Sequence, residues 1–200
     1  MCSWPSKQKR PAPTPDVLYR AFALAPGAAL SAPGGALFVA RVAQGAGRHD
    51  NPAHYGALYA SRSAVSAVAE VLQQFRNQTL AEEDLSRAGG RRLALATIDE
   101  SLASLVDLDD PAVLLERALR PSAVATRERR VTQRIALDAF ERGATGLSWW
   151  STLEASWVNV TLFAERAGSP ALALEPESLS LSHAAVREAA DELGIELAND

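Results

Sequence analysis

Two hundred residues, 21.3 kDa, suffice for one domain with tails and are too few for two domains of ordinary size. Hydrophobic residues at 48% and charged residues at 22% exclude wholesale disorder, and a formal charge of −4 argues against binding nucleic acid by bulk electrostatics. The lone Cys2 cannot close an internal disulfide and no Cys/His cluster has zinc spacing, so the chain reads as metal-free and cytoplasmic.

In chain order, residues 1–15 carry four prolines and three basic residues with little to bury, which predicts a flexible tail. The longest uncharged run, Ala21–Ala40, has the length of a membrane span. Pro26, Pro33, Gly27, Gly34 and Gly35 break it as a helix. Asp16 and Arg20 separate it from the basic start, so a signal peptide fits no better. Residues 16–166 have globular composition. Ala36–Val42, Ala57–Ala60, Leu93–Ile98 and Leu105–Leu108 read as buried strands, and Trp157–Phe163 alternates as a strand with one covered face. Helices are predicted over Ser63–Arg76, Pro111–Leu119 and Arg127–Arg142, the second opened by the Asp110 cap and Pro111. Residues 167–200 hold seven acids against Arg187. They are expected to form an acidic appendage packed on the domain or on a partner, with a short helix capped by Ser182, carrying Val186, Ala189 and Leu193, and closed by Gly194. Strands at both ends, helices between and no βαβ rhythm predict an α+β fold.

The first helix repays reading by angle. Val65, Val68, Leu72 and Phe75 form one apolar stripe, and Glu70 falls almost opposite, flanked by Ser63, Ser66 and Ala67. Periodicity allows a solvent-facing Glu70 and equally a Glu70 whose small neighbours let a ligand approach. No GxGxxG, Walker loop, GxSxG elbow or HExxH is present.

Several short pieces recur in a telling order. They are Leu18-Tyr19-Arg20, then Gly47-Arg48-His49-Asp50-Asn51-Pro52, then the Leu58-Tyr59-Ala60 strand and Glu70 in an alanine-rich helix. Thr132-Gln133, Gly146-Leu147-Ser148-Trp149-Trp150-Ser151 and Asn159-Val160-Thr161-Leu162-Phe163 follow. This order resembles the RES domain of RES–Xre toxin–antitoxin pairs, over about residues 16–165. It departs from the family pattern at His49-Asp50, where an aromatic–Asn pair is usual, and at Trp149-Trp150, where Tyr–Pro is usual.

The resemblance implies an ADP-ribosyltransferase-like fold, with small split or mixed sheets and inserted helices around a cleft for NAD. It implies that NAD is consumed as substrate at the nicotinamide–ribose bond, by phosphorolysis with inorganic phosphate as co-substrate, by hydrolysis, or by ADP-ribosyl transfer. An Xre-type antitoxin is the implied partner. Direct nucleic-acid or membrane binding is not implied, and a homo-oligomer is compatible with it. Glu70 would hold the ribose and offset developing positive charge, and Arg20 and Arg48 would bind the pyrophosphate. Tyr59 would stack on a base, and Ser151, with Ser148 as rival, would hydrogen-bond ribose or phosphate. Catalytic roles fall to Glu70, Arg48 and Ser151.

Other residues have blander readings. His49 in a polar turn reads as solvated rather than as a general base. Trp149, Trp150 and Trp157 read as core, with one lining the pocket. Arg127, Arg129, Arg130 and Arg134 form a basic patch, either solvated or facing phosphate or an antitoxin. The rival function is a RES-like domain that binds a nucleotide or partner without catalysis; a purely structural domain is the third.

Overall fold

Alternation over Val17–Leu24 makes strand β1, with Leu18 and Phe22 packed on one face and Tyr19 and Ala21 on the other. The computed structural model describes residues 17–99, 104–167 and 170–198; the expected tail, 1–15, lies outside them. Then come β2 (Ala57–Ser61), α1 (Ala64–Leu72), β3 (Thr79–Leu80), β4 (Ser86–Arg87) and β5 (Arg91–Asp99). Next are β6 (Leu105–Asp107), α2 (Pro111–Glu116), α3 (Pro121–Ala125) and α4 (Arg129–Glu141). The chain continues through β7 (Gly146–Trp150), β8 (Val158–Phe163), β9 (Leu172–Ser178), α5 (Ala184–Leu193) and β10 (Glu196–Leu197).

The main sheet runs β4–β5–β1–β2–β8–β7–β6, with β9 also paired to β5. It is antiparallel except for β6 and β7, which are parallel and joined through α2, α3 and α4. A separate parallel pair joins β3 to β10. One junction positions the site. β1 pairs β5 from Val17↔Asp99 to Leu24↔Arg92, and β2 pairs β8 along its whole length. Between β1 and β2 only Tyr19↔Ser61 is in register, so the sheet splits there.

The expected strand Ala36–Val42 does not form. Residues 25–44 double back on themselves, with Ala25 N–H bonded to Gly34 O (3.0 Å) and Leu37 N–H to Leu30 O (2.9 Å), and Arg41–Ala43 close a single 3₁₀ turn. Only the first part of the run packs on the sheet, with Ala36 buried, Leu37 and Val39 half-buried and Val42 exposed, and no ladder forms: the carbonyls of Ala36 and Phe38 accept from the Arg20 guanidinium. A Cβ at Gly35 would stand 2.1 Å from Ala29 O, so the fold-back needs glycine there.

The Ser63 hydroxyl caps α1 by accepting from Ser66 N–H at 3.1 Å. The helix stops at Leu72 and tightens into a 3₁₀ turn over Gln73–Phe75, short of the expected Arg76. Its stripe of Val68 and Leu72 packs with Ala185, Val186, Ala189, Ala190 and Leu193 of α5, over Leu93 and Leu95 of β5. The acidic C-terminal segment is therefore woven into the body: β9 lies on the sheet and α5 fills the core, with its acids on the outer face. The cap of α5 is His183, whose Nδ1 accepts from Ala185 N–H, one residue later than expected; Gly194 closes it at φ +65°. If α5 is core, Val186→Ala should lower the free energy of unfolding by about 2 kcal/mol in urea titrations. A loss under about 0.5 kcal/mol would return the segment to the status of a surface appendage.

Candidate active site in the split of the sheet

Where β1 and β2 part, a cleft of about 280 Å³ opens. Tyr19, Arg20 and Ala21 line one side, Tyr59 to Ser61 the other; Ala67 and Glu70 of α1 and Gln73 just after it, with Arg48, Arg129, Trp149 and Asn159, complete the wall. Both faces of α1 are covered, one by α5 and the small one by the sheet, so the solvent-facing reading of Glu70 fails.

The Glu70 carboxylate is held through one atom. Oε1 accepts from Asn159 Nδ2 at 2.7 Å and from Ser151 Oγ at 2.9 Å, while among the described residues Oε2 accepts from Gln73 Nε2 alone, at 3.2 Å. Asn159 is itself pinned, its Oδ1 accepting the hydroxyls of Ser61 and Ser66. Ser151 is buried behind Glu70 and also accepts from Leu153 N–H; it does not line the cleft. Ser148, on the alternate face of β7, does not line it either. Sequence reading placed Asn159 in a strand motif without assigning it a role; its distance from Glu70 in the chain left no local signal.

Arg48 enters the cleft from the loop before β2. Nη1 donates to Val124 O (2.9 Å) and Thr126 O (3.0 Å), and the guanidinium lies over the Trp149 ring, 5.0 Å from its centroid. Its other N–H groups make no hydrogen bond among the described residues. Burial, then Arg129, lower its pKa, against Glu70 and Tyr59, which raise it. Helix α4 anchors this loop: Thr132 Oγ1 donates to Arg48 O (2.6 Å), and Gln133 Nε2 to Gly45 O and Gly47 O, each at 3.0 Å. Of the basic patch, Arg129 alone reaches the cleft; Arg130 and Arg134 line a different surface.

Arg20 sits at the partition between this cleft and a second cavity of about 430 Å³. Its guanidinium donates to Ala36 O and Phe38 O, each at 3.0 Å, and pairs with no carboxylate among the described residues. Burial lowers its pKa to about 10, so it stays charged at neutral pH. Tyr59 borders both cavities. Its hydroxyl donates to Asp50 Oδ1 (2.7 Å) and accepts from His49 N–H (2.9 Å); burial, then the Asp50 bond, push its pKa up. Asp50 Oδ2 accepts from the N–H of Gly45 and of Gly47.

His49 is 2% exposed, contrary to the solvated turn expected from sequence. Nδ1 lies 2.8 Å from Thr161 Oγ1, and the ring stacks on Tyr59 and meets the Trp149 ring edge-on at 5.2 Å. Burial first, then Arg48 and Arg129, push its pKa down from 6.5 to about 3. Of the three clustered tryptophans, Trp149 lines the cleft; Trp150 and Trp157 pack against core clusters. No group of three or more His, Cys, Asp or Glu among the described residues could hold a metal ion, and no helix among them is long and apolar enough to cross a membrane.

As pH falls from 6.5 toward 3, the unfolded chain binds a proton at His49 that the folded chain does not. Acidification over that window should cost stability, by up to about 1.4 kcal/mol per pH unit from this group. Urea titrations of the native chain and of His49→Gln should show the steeper loss in the native chain; parallel curves would mean the imidazole titrates normally.

The model of the RES domain family matches residues 17–182. No curated protein matches the chain. Among solved structures, the fold is similar to that of the toxin MbcT in the crystal structure of the M. tuberculosis MbcT–MbcA toxin–antitoxin complex. The TM-score is 0.62 at 20% identity, over 89% of this chain and 88% of that one. That likeness is one of fold, α+β and ADP-ribosyltransferase-like. With the family model spanning most of its length, the chain belongs to the RES domain family.

Proposed function

We propose that this RES domain consumes NAD by cleaving the nicotinamide–ribose bond, acts in the cytoplasm as a growth-arresting toxin, and is neutralised by an Xre-type antitoxin. The observation that carries the reading is the Glu70 carboxylate fixed through Oε1, on the same cleft wall as a guanidinium with unused donors. The toxin-and-antitoxin pairing of MbcT supports the partner.

The cleft alone suits a nucleoside, and the adjoining cavity, which shares Arg20, Ala21 and Tyr59, offers room for the second half of a dinucleotide. Arg20, at the partition and lacking an acidic partner, retains N–H donors for a pyrophosphate. Cleavage sends the C1′–N electron pair to the nicotinamide ring, which leaves neutral, while the ribose takes up positive charge. Glu70 Oε2 would accept from a ribose hydroxyl and offset that charge without protonating anything. A phosphate oxygen, or a water that releases its proton to bulk solvent, then bonds to C1′. Arg48 and Arg129 form a doubly basic corner suited to an anionic acceptor or to the pyrophosphate. Ser151 is a positioning residue in this scheme, since it touches Glu70 and not the cleft.

Purified protein incubated with NAD, with and without inorganic phosphate, should release nicotinamide; faster release with phosphate identifies phosphorolysis. NAD that stabilises the fold against heat yet survives intact would favour the non-catalytic binding module instead. Glu70→Gln keeps an oxygen for Ser151 and Asn159 while removing the charge, so turnover should fall at least about a hundredfold with the melting temperature retained. Ser151→Ala should lower kcat about tenfold and leave KM for NAD nearly unchanged. A rise in KM with kcat preserved would make Ser151 a direct ligand.

A further inference from the structure

A third concavity, a groove, lies on the far side of α4 from the cleft and shares no lining residue with it. At about 580 Å³ it is the larger of the two. Its floor is apolar, from Val106, Leu119, Val131 and Ile135, and its rim is basic. Of the two acids at that rim, Asp138 is taken up by Arg117 (3.4 Å) and Arg142 (2.9 Å), leaving Glu128. Arg130 and Arg134 are exposed and form no ion pair among the described residues. In a chain of net charge −4, this groove has the opposite sign to the whole.

Spacing defines what fits. Arg130 and Arg134 stand one helical turn apart, about 6 Å. Two acidic side chains at i and i+2 of an extended segment lie about 6.6 Å apart, with the residue between them turned to the opposite side. We propose that the groove docks an extended acidic segment of a partner protein, in which two carboxylates meet Arg130 and Arg134 on α4 while the apolar residue between them, turned the other way, packs on Leu119 and Ala123 across the groove. Desolvating the floor supplies affinity, and the paired charges fix register. The groove is also well placed to be sensed. Its two walls include α3, followed by the carbonyls that hold Arg48, and α4, which holds the Arg48 loop through Thr132 and Gln133.

The test uses the full chain and a fluorescein-labelled synthetic peptide of alternating leucine and glutamate, read by anisotropy. Saturable binding that weakens with added salt is expected. The paired reversal Arg130→Glu with Arg134→Glu should weaken it about tenfold or more, as should glutamine in place of the peptide's glutamates. Glu70→Gln should leave it unchanged. Absence of saturable binding, indifference to the arginine reversal, or loss of binding in Glu70→Gln would each overturn the proposal. So would self-association broken by Glu175→Arg with Glu177→Arg. Those acids share the i, i+2 spacing on the exposed strand β9, and that result would give the groove to a second copy of this chain. The assay reads peptide binding alone, so its failure is distinguishable from a failure of NAD turnover.

Discussion

Everything around the cleft depends on one buried amide. Asn159, on β8, accepts the hydroxyls of Ser61 on β2 and Ser66 on α1 and gives its N–H to Glu70. The bonds run in one direction, so each group has a fixed role: hydroxyl donors, amide oxygen, amide N–H, carboxylate. This arrangement draws the small face of α1 onto the sheet beside the split and sets the acid's orientation before any ligand arrives. An apolar residue at 159 would strand two buried hydroxyls and half-release a carboxylate, costs that packing alone cannot offset.

The cleft concentrates charge that the rest of the chain balances. Arg129 lies close enough to lower the Arg48 pKa, and Arg20 is half-buried against carbonyls and pairs with no acid among the described residues. Like charges held together and a cation buried without a counter-ion are unfavourable in the empty protein. Some arginines elsewhere are paired, as Arg41 is with Glu165 and Arg92 with Glu82, while Arg130 and Arg134 stand exposed to solvent. The cleft thus differs from the exposed basic groove in confining its cations beside Glu70, an electrostatic pattern that favours an anionic ligand.

Local pattern made part of this legible. The β2, β5, β6 and β8 cores follow from apolar runs and alternation, and α2 follows from Asp110-Pro111. The failures share a cause: the deciding partner is remote in sequence. Ala36–Val42 has strand composition, yet its carbonyls are claimed by Arg20, sixteen to eighteen residues earlier. β7 is a short Gly-Leu-Ser-Trp-Trp segment that periodicity could not separate from a loop. Over 167–200 the sequence showed the apolar face of α5, Val186, Ala189 and Leu193, but not what covers it, since its partners on α1 and β5 lie about a hundred residues earlier. Glu70 stayed ambiguous because the choice of face belongs to α5, more than a hundred residues on. The order of short motifs pointed to residues that periodicity could not group: Arg20, Arg48, Tyr59 and Glu70 line one cleft, whereas Ser151 stands behind Glu70.

The departures from the usual family pattern are mutually consistent. Neutral His49 takes the aromatic place by stacking on Tyr59 and meeting Trp149, and its Nδ1 contact at Thr161 uses the hydroxyl that also accepts from Trp149 Nε1. Asp50 supplies acceptors only: two go to loop N–H groups and the third contact obliges Tyr59 to donate, which frees the tyrosine oxygen to accept from His49 N–H. A Cβ at Gly47 would stand 2.6 Å from both Asp50 Oδ1 and the Tyr59 hydroxyl, so the loop closes over this pair only with glycine there. Trp149 in turn offers its ring to Arg48. Substitutions at 49, 50 and 149 thus act on one connected network that ends at a cleft arginine, and their effects should be coupled rather than additive. Read singly, each change weakens the family pattern; joined through Tyr59 and Thr161, they preserve the geometry that presents Arg48.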